Sequence, residues 1–248
     1  SSSAASDVYK RQGLDLAQIM AGPYCTMVLA DLGAEVIKVE KAGKGDDSRE
    51  MGPFVNGESA SFAHINRNKR GIALDLKQPQ GREVLYELAK WADVVVENFR
   101  VGVTRSLGVD YETLSALNPR LVYCSISGFG QTGPSADLAA YAPVIHATSG
   151  YDLAHLSHQR GRTQPDNCGI YIADVLTGTY AFGAIGAALH QRAATGKGQH
   201  IDVSMLESML SLTLTEMQAA QFEVPPPPSR PTTAGRAMRT MPASHPTR

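Results

Sequence analysis

Apolar and polar positions follow two different periods along residues 13–224, which predicts strands and helices in alternation. Short apolar runs indicate buried strands at 13–19, 35–40, 93–99 and 121–129. Helical spacing or helix-starting residues indicate helices between them at 23–32, 80–92 and 111–117. Because strands that alternate with helices pair in parallel, the pattern predicts an α/β fold, a Rossmann-like parallel sheet with helices on both faces.

The later part of the chain is more helical. Residues 174–195 carry Gly and Ala at close intervals, which favours a helix packed tightly against a neighbour. A turn and strand are predicted at 196–205 and a one-faced apolar helix at 206–222. Residues 1–12 lack periodicity and 225–248 are rich in Pro, Ser, Thr and Arg. We expect disordered or non-native tails there, around a domain at 13–224.

Composition narrows the class of protein. The 23 Lys and Arg residues nearly balance 24 Asp and Glu residues, for a net charge of -1, so nucleic acid is not an expected general partner. No apolar run reaches the roughly 20 residues of a membrane span, and no apolar signal opens the chain. The three cysteines lack metal-ligand spacing. We therefore expect a cytoplasmic protein without a metal site.

Polar and glycine-rich segments follow the predicted strands, where parallel sheets bind ligands. Neither GxGxxG nor GxxxxGK[ST] occurs, which argues against a dinucleotide dehydrogenase or a P-loop enzyme. Basic and amide side chains stand there instead, namely Lys38, Lys41, Lys44, the NRNKR run at 66–70, Asn98 and Arg100. Such residues either bind the phosphates of a large anionic ligand or simply keep surface loops solvated.

Five segments in fixed order carry a family resemblance. They are AGPYCTMVLADLGAEVIKVEKAGKGDDSR, NRNKRGIALDLKQPQGR, ADVVVENFRVGV, LNPRLVYCSISGFGQTGP and IADVLTGTYAFGAIGAALHQRAATGKGQHIDVSMLESML. Together they resemble the class III coenzyme A transferases, the CaiB/BaiF family, over essentially 13–224. The resemblance implies the first part of a large Rossmann-like domain, without the small domain. It also implies an interlocked homodimer of the full-length protein.

The same resemblance implies the chemistry of the site. Asp174, in IADVLTG, would be the nucleophile that moves coenzyme A between carboxylic acids through an aspartyl anhydride and an aspartyl-CoA thioester. Acyl-CoA and a carboxylic acid would be the substrates, with no tightly bound cofactor. The residues implied to contact coenzyme A are Met20, Ala21, Lys41, Asn66, Arg67, Asn68, Lys69, Asn98, Phe99 and Arg100. Without the family context, Asp174 would be interpreted as the cap of a helix.

Two other interpretations stay open. The racemases of the family use a histidine where this chain has Tyr141, and tyrosine is a poor base at neutral pH, which favours transfer over racemisation. His146, where the transferases commonly have Gln, would either bind substrate or pack as a core residue. The second alternative is a catalytically inactive fragment that binds coenzyme A or a partner chain.

Overall fold

The structure is a computed structural model that describes residues 11–159, 161–166 and 168–222. The predicted tail at 225–248 and residues 1–10 of the tail at 1–12 lie outside the described residues. The first strand begins at Gln12, which pairs with Glu35. The sheet therefore starts before the predicted domain boundary at Gly13.

One parallel sheet forms the centre of the domain. Its strands are β1 (Gln12–Asp15), β2 (Glu35–Lys41), β5 (Lys69–Leu74), β6 (Val94–Glu97), β7 (Val122–Ser127) and β8 (Gln199–Ser204). They lie in the order β5-β2-β1-β6-β7-β8, and every neighbouring pair is parallel. A separate antiparallel hairpin contains β3 (Phe54–Val55) and β4 (Glu58–Ser59). This strand order is that of the Rossmann fold and confirms the predicted fold class.

Helices connect the strands and continue beyond β7. They are α1 (Ala21–Asp31), α2 (Ala60–Ile65), α3 (Pro79–Trp91), α4 (Val103–Leu107), α5 (Tyr111–Leu117), α6 (Ala142–Thr148), α7 (Tyr151–Ser157), α8 (Ile172–Thr195), α9 (Met205–Leu210) and α10 (Leu214–Gln221). Proline stands in the first turn of α1 and α3, where no N–H partner is needed. Gly196 ends α8 with a positive φ of 75°, a conformation that glycine adopts without steric cost.

Helices cover both faces of the sheet, as predicted. On one face, α1 and α8 pack against the strands through a core that includes Cys25, Val96 and Ile185. On the other face, α3 and α5 enclose a core that includes Leu85 and Leu114. Successive residues of β6 point into opposite cores, which is why this strand is apolar without alternation.

Several predicted elements have different bounds in the structure. The first strand ends at Asp15, because the chain turns into a loop at 16–20. The helix predicted at 206–222 is wrong as one element, since α9 and α10 are separated by a turn at 211–213. In that turn the Leu212 and Thr213 N–H groups bond to Met209 and Leu210 carbonyls, three residues back. The helix predicted from residue 174 begins earlier, at Ile172.

The longest helix, α8, is long and apolar enough to cross a membrane by composition alone. It packs against α1, α9, β7 and β8 and contributes Ala181, Ile185 and Leu189 to the core of one sheet face. Its apolar character therefore fits an internal helix of the domain.

Candidate active site

A crevice opens at the carboxyl end of the sheet between β1 and β6. The strand order reverses at this point, since β1 leads to β2 on one side and β6 leads to β7 on the other. Open α/β sheets bind ligands at such a reversal. The crevice encloses about 240 Å³. Several sequence-predicted site residues line it together, namely Ala21, Asn98, Phe99, Arg100, Tyr141 and Asp174.

Asp174 lies in the first turn of α8 and is half-buried. Burial raises the pKa of its carboxyl to about 6, although hydrogen bonds from its own N–H and from the Ala21 N–H act in the opposite direction. The position at a helix N-terminus also favours negative charge on the side chain. Asp174 is therefore largely ionised at neutral pH but poorly solvated, which is the state required of a carboxylate nucleophile.

Gly178 sets the distance between α8 and α1. A Cβ atom at this position would lie 2.6 Å from the Ala21 carbonyl oxygen and 3.0 Å from the Tyr24 ring. Only glycine lets the two helices approach this closely, and the approach brings Asp174 to the Ala21 N–H.

We expect Gly178→Ala to lower the free energy of unfolding by about 1–3 kcal/mol, because the added methyl group meets backbone atoms that have little room to move. Gly183→Ala is the matched control on the same helix, since a Cβ there meets nothing within 4 Å. Removing this exposed glycine should be neutral or stabilising by up to about 1 kcal/mol. Urea unfolding of both variants checks this, and equal midpoints would contradict the close approach.

Two of the loops that line the crevice are joined by hydrogen bonds of the Asn98 side chain. The Asn98 amide accepts a hydrogen bond from the Gln18 N–H and donates one to the Gln18 carbonyl, both at 2.8 Å. Asn98 follows β6 and Gln18 follows β1, so this pair spans the strand reversal. It fixes the width of the crevice next to Ala21 and Phe99.

Buried charged side chains hold the loop at 16–20, which follows β1, in place. The Lys38 ammonium contacts the Asp46 carboxylate and the Ala17 carbonyl, each at 2.8 Å. Asp46 in turn accepts the N–H of Ile19 at 3.1 Å. Ile19 has a φ of 68°, a left-handed conformation that is rare for a β-branched residue. The Lys38–Asp46 pair therefore keeps Ile19 in this strained conformation at the wall of the crevice.

A second buried cation, Lys69, completes this network. Its ammonium donates to the Asp15 carboxylate at 2.8 Å and to the Pro23 carbonyl and Asn66 amide oxygens at 2.9 Å each. Burial alone would raise the pKa of Asp15, but the ammonium groups of Lys38 and Lys69 outweigh it, and that pKa lies below its ordinary value. Burial lowers the pKa of Lys69.

The predicted coenzyme A contacts fall into two groups. One group, named above, lines the crevice, and the other contacts residues of this chain. The basic run at 66–69 makes intramolecular contacts, since Lys69 is enclosed and Arg67 and Asn68 both bind Asp31 at the end of α1. Lys38, which the sequence placed among the phosphate-binding candidates, is also buried. Met20 precedes α1, and Lys41 is exposed at the end of β2. The roles predicted for these residues in binding coenzyme A stay predictions.

His146 is buried within α6, and its ring packs against Tyr151. Burial lowers its pKa. Tyr141, by contrast, is 64% exposed at the wall of the crevice. Tyr141 and His146 are both candidate substrate contacts, and Tyr141 is the one of the two that lines the crevice together with Asp174.

Several residues that line the crevice were not among those predicted from the sequence. Gln18 and Ile19 line it immediately before the predicted Met20 and Ala21, and Met205 closes it from the start of α9. The buried network had a signal in the sequence, because Asp15 and Lys38 stand inside otherwise apolar strands. Among the described residues, no group of three His, Cys, Asp or Glu side chains could hold a metal ion.

Comparison with known proteins identifies the family. The family model for CoA-transferase family III matches residues 13–245. The chain belongs to CoA-transferase family III. This assignment confirms the resemblance based on the five sequence segments.

Curated relatives of this chain are named as CoA-transferases. Succinyl-CoA:glutarate CoA-transferase of Mus musculus is 46% identical over 207 residues, which are 83% of this chain and 47% of that protein. Acetyl-CoA:oxalate CoA-transferase of Acetobacter aceti is 44% identical over 198 residues, 80% of this chain and 50% of that protein. The chain spans about half the length of the curated relatives it matches.

A solved structure has the same fold. The crystal structure of a CaiB/BaiF family protein from Brucella suis superposes with a TM-score of 0.80 at 41% sequence identity. The match covers 88% of this chain and 58% of that protein. The family III sheet and its flanking helices are therefore present in this chain.

Proposed function

We propose that this chain is the large-domain part of an enzyme that moves coenzyme A between short dicarboxylic acids, with Asp174 as the nucleophile. The half-buried Asp174 carboxylate, beside the Ala21 N–H in the crevice at the strand reversal, carries the proposal. The acids named for the relatives support the substrate class, since glutarate, oxalate, citramalate and malate each bear two carboxyl groups.

The reaction would begin at the Asp174 carboxylate. One of its oxygens attacks the carbonyl carbon of the acyl-CoA, and the bond to sulfur breaks to give an aspartyl–acyl anhydride and the coenzyme A thiolate. The thiolate then attacks the aspartyl carbonyl carbon. The donor acid leaves as a carboxylate with the bonding electrons, and an aspartyl-CoA thioester remains. The acceptor acid reverses these steps.

Surrounding groups would stabilise the charges that develop. The N–H groups of Ala21 and of Asp174 itself donate to the Asp174 carboxylate, and the N-terminus of α8 favours negative charge at this place. Arg100, exposed on the crevice wall, provides a cation for an anionic substrate. The loop at Gly128 approaches Ala140 so closely that a Cβ would lie 2.4 Å from the Ala140 Cβ, which narrows the crevice on the side of β7.

The direct test incubates the full-length protein with succinyl-CoA and ¹³C-labelled glutarate and measures labelled glutaryl-CoA by mass spectrometry. Labelled product from the wild type, and from the exposed-carboxylate control Asp166→Asn, supports the proposal. A folded wild type that forms no product with glutarate, oxalate or malate contradicts it. The same reaction run in D₂O with a branched acyl-CoA tests the racemase alternative, for which deuterium would enter at the α-carbon without transfer.

The rate should depend on pH in a defined direction. Because the pKa of Asp174 is raised to about 6 and only the ionised carboxylate attacks, the single-turnover rate should rise as the pH passes through about 6 and level off above about 7. Rapid-quench measurements between pH 4.5 and 8 check this. A rate that is flat between pH 5 and 7 would show that Asp174 has an ordinary carboxyl pKa or does not limit the reaction.

The homodimer and the cytoplasmic location also belong to this proposal. Large apolar side chains of and beside α10 are exposed, namely Leu214, Met217 and Phe222. Exposed apolar surface of this kind commonly marks an interface between chains. Sedimentation of the full-length protein should give twice the mass of one chain.

A further inference from the structure

His146 has no part in the reaction described above, yet its side chain contacts Ala173, the residue that precedes the proposed nucleophile Asp174. Its side chain lies on α6 with 1% exposure. Its Nε2 accepts a hydrogen bond from the Ala173 N–H at 3.2 Å. Ala173 directly precedes Asp174 in the first turn of α8.

The hydrogen bond to His146 gives the Ala173 N–H an acceptor that α8 itself does not provide. The first N–H groups of a helix have no acceptor within the helix and need one from elsewhere. Within the described residues, the side chain of Tyr171, which occupies the N-cap position of α8, makes no such bond. His146 therefore caps α8 from a different helix.

The imidazole is suited to this contact only in its neutral form. Nε2 accepts a hydrogen bond, so it carries no proton, and the remaining proton resides on Nδ1. Nδ1 is buried and has no hydrogen-bond partner among the described residues. A buried unpaired donor is unfavourable, so an apolar residue would suit this position better if packing were the only requirement.

α6 is itself held firmly. Ile145 and Ala142 of α6 pack with Ala173, Met205 and Met209 in a third hydrophobic cluster. The His146 ring also contacts Tyr151, with ring centroids 5.4 Å apart. The first turn of α8 is thus fixed on one side by His146, and the Asp174 carboxylate is fixed on the other by the Ala21 N–H.

We propose that His146 is a positioning residue, which holds the first turn of α8 through the Ala173 N–H so that the Asp174 carboxylate meets the acyl carbonyl in the reactive geometry. The inference rests on the proposed role of Asp174 and adds a contributor to it. Small displacements of a reacting group are enough to slow a reaction strongly, which is why the backbone beside a nucleophile is a sensitive place for such support.

Two substitutions separate positioning from packing. In His146→Gln the amide oxygen lies near the position of Nε2 and accepts the same N–H, whereas His146→Leu fills much of the space and accepts nothing. In full-length protein we expect the leucine variant to form the Asp174 adduct about 10–100-fold more slowly, and the glutamine variant to stay within about threefold of wild type. Coenzyme A affinity should change little in both. Thr148→Ala, an exposed change on α6, is the control.

The experiment has a second readout that does not depend on catalysis. Hydrogen exchange at the start of α8 should be faster in His146→Leu than in the wild type and normal in His146→Gln. A leucine variant with wild-type adduct rate and exchange, or a glutamine variant as slow as leucine, overturns the inference. If the wild type forms no adduct at Asp174, the proposed function fails, and exchange alone decides whether His146 caps α8. Should the leucine variant not fold, His146→Met replaces it.

Discussion

Replacing Lys69 by methionine is expected to lower the free energy of unfolding by about 3–5 kcal/mol, enough to unfold many domains of this size. The Lys69 side chain is 1% exposed and its ammonium donates to Asp15, to the Pro23 carbonyl and to Asn66. Methionine fills similar space but leaves the fully buried Asp15 without its closest cation. A buried charge that loses its partner costs far more than the pair itself contributes.

Urea unfolding of Lys69→Met against Lys90→Met tests this expectation. Lys90 forms an exposed pair with Glu87 on α3, so its replacement should cost less than about 1 kcal/mol. The double variant Asp15→Leu, Lys69→Met removes both charges and should be more stable than the sum of the single losses predicts. Equal effects of the two lysine substitutions would show that the buried network is not formed.

Asp174→Asn is expected to reduce transfer by about 10⁴-fold or more, the scale seen when a nucleophile is removed. Asparagine keeps the shape and the hydrogen bond from the Ala21 N–H, but an amide cannot form the anhydride or the thioester. Coenzyme A affinity should stay near the wild-type value, because the remaining crevice is unchanged. A variant that retains a tenth of the wild-type rate would exclude Asp174 as the nucleophile.

The same variant should be more stable than the wild type at neutral pH. The pKa of Asp174 is about 6 in the folded protein, above its ordinary value of 3.8, so ionisation weakens the fold as the pH rises between these values. Asparagine does not ionise, and we expect a gain of roughly 1–3 kcal/mol at pH 7 that disappears below about pH 4. Thermal unfolding at both pH values checks the sign.

The fold was predictable from local pattern because its information is repeated along the chain. The four strands predicted from apolar runs, β1, β2, β6 and β7, all lie in the sheet, and residues such as Pro79 and Gly196 mark where helices begin or end. The split between α9 and α10 was not predictable from periodicity, since the apolar spacing continues through the turn at 211–213. Only the hydrogen bonds of that turn mark the break.

The site was predictable in part. Asp174, Asn98 and Arg100 meet in one crevice because the carboxyl ends of parallel strands and the start of α8 converge there. The basic run at 66–69 shows the limit of sequence reasoning. The sequence does not distinguish a lysine exposed in a loop from a lysine buried against a carboxylate. Only the fold places Lys69 beside Asp15, which lies 54 positions earlier in the chain. The same limit applies to His146, because the sequence does not show whether its side chain binds substrate or packs in the core.

The most direct measurement traps the covalent intermediate. The full-length protein is incubated with succinyl-CoA and quenched with borohydride, which reduces an aspartyl thioester to a stable alcohol, and its peptides are analysed by mass spectrometry. We expect reduction at Asp174, absent from Asp174→Asn and present in Asp166→Asn. Reduction at another carboxylate, or none in a folded protein that transfers coenzyme A, would contradict the central role of Asp174.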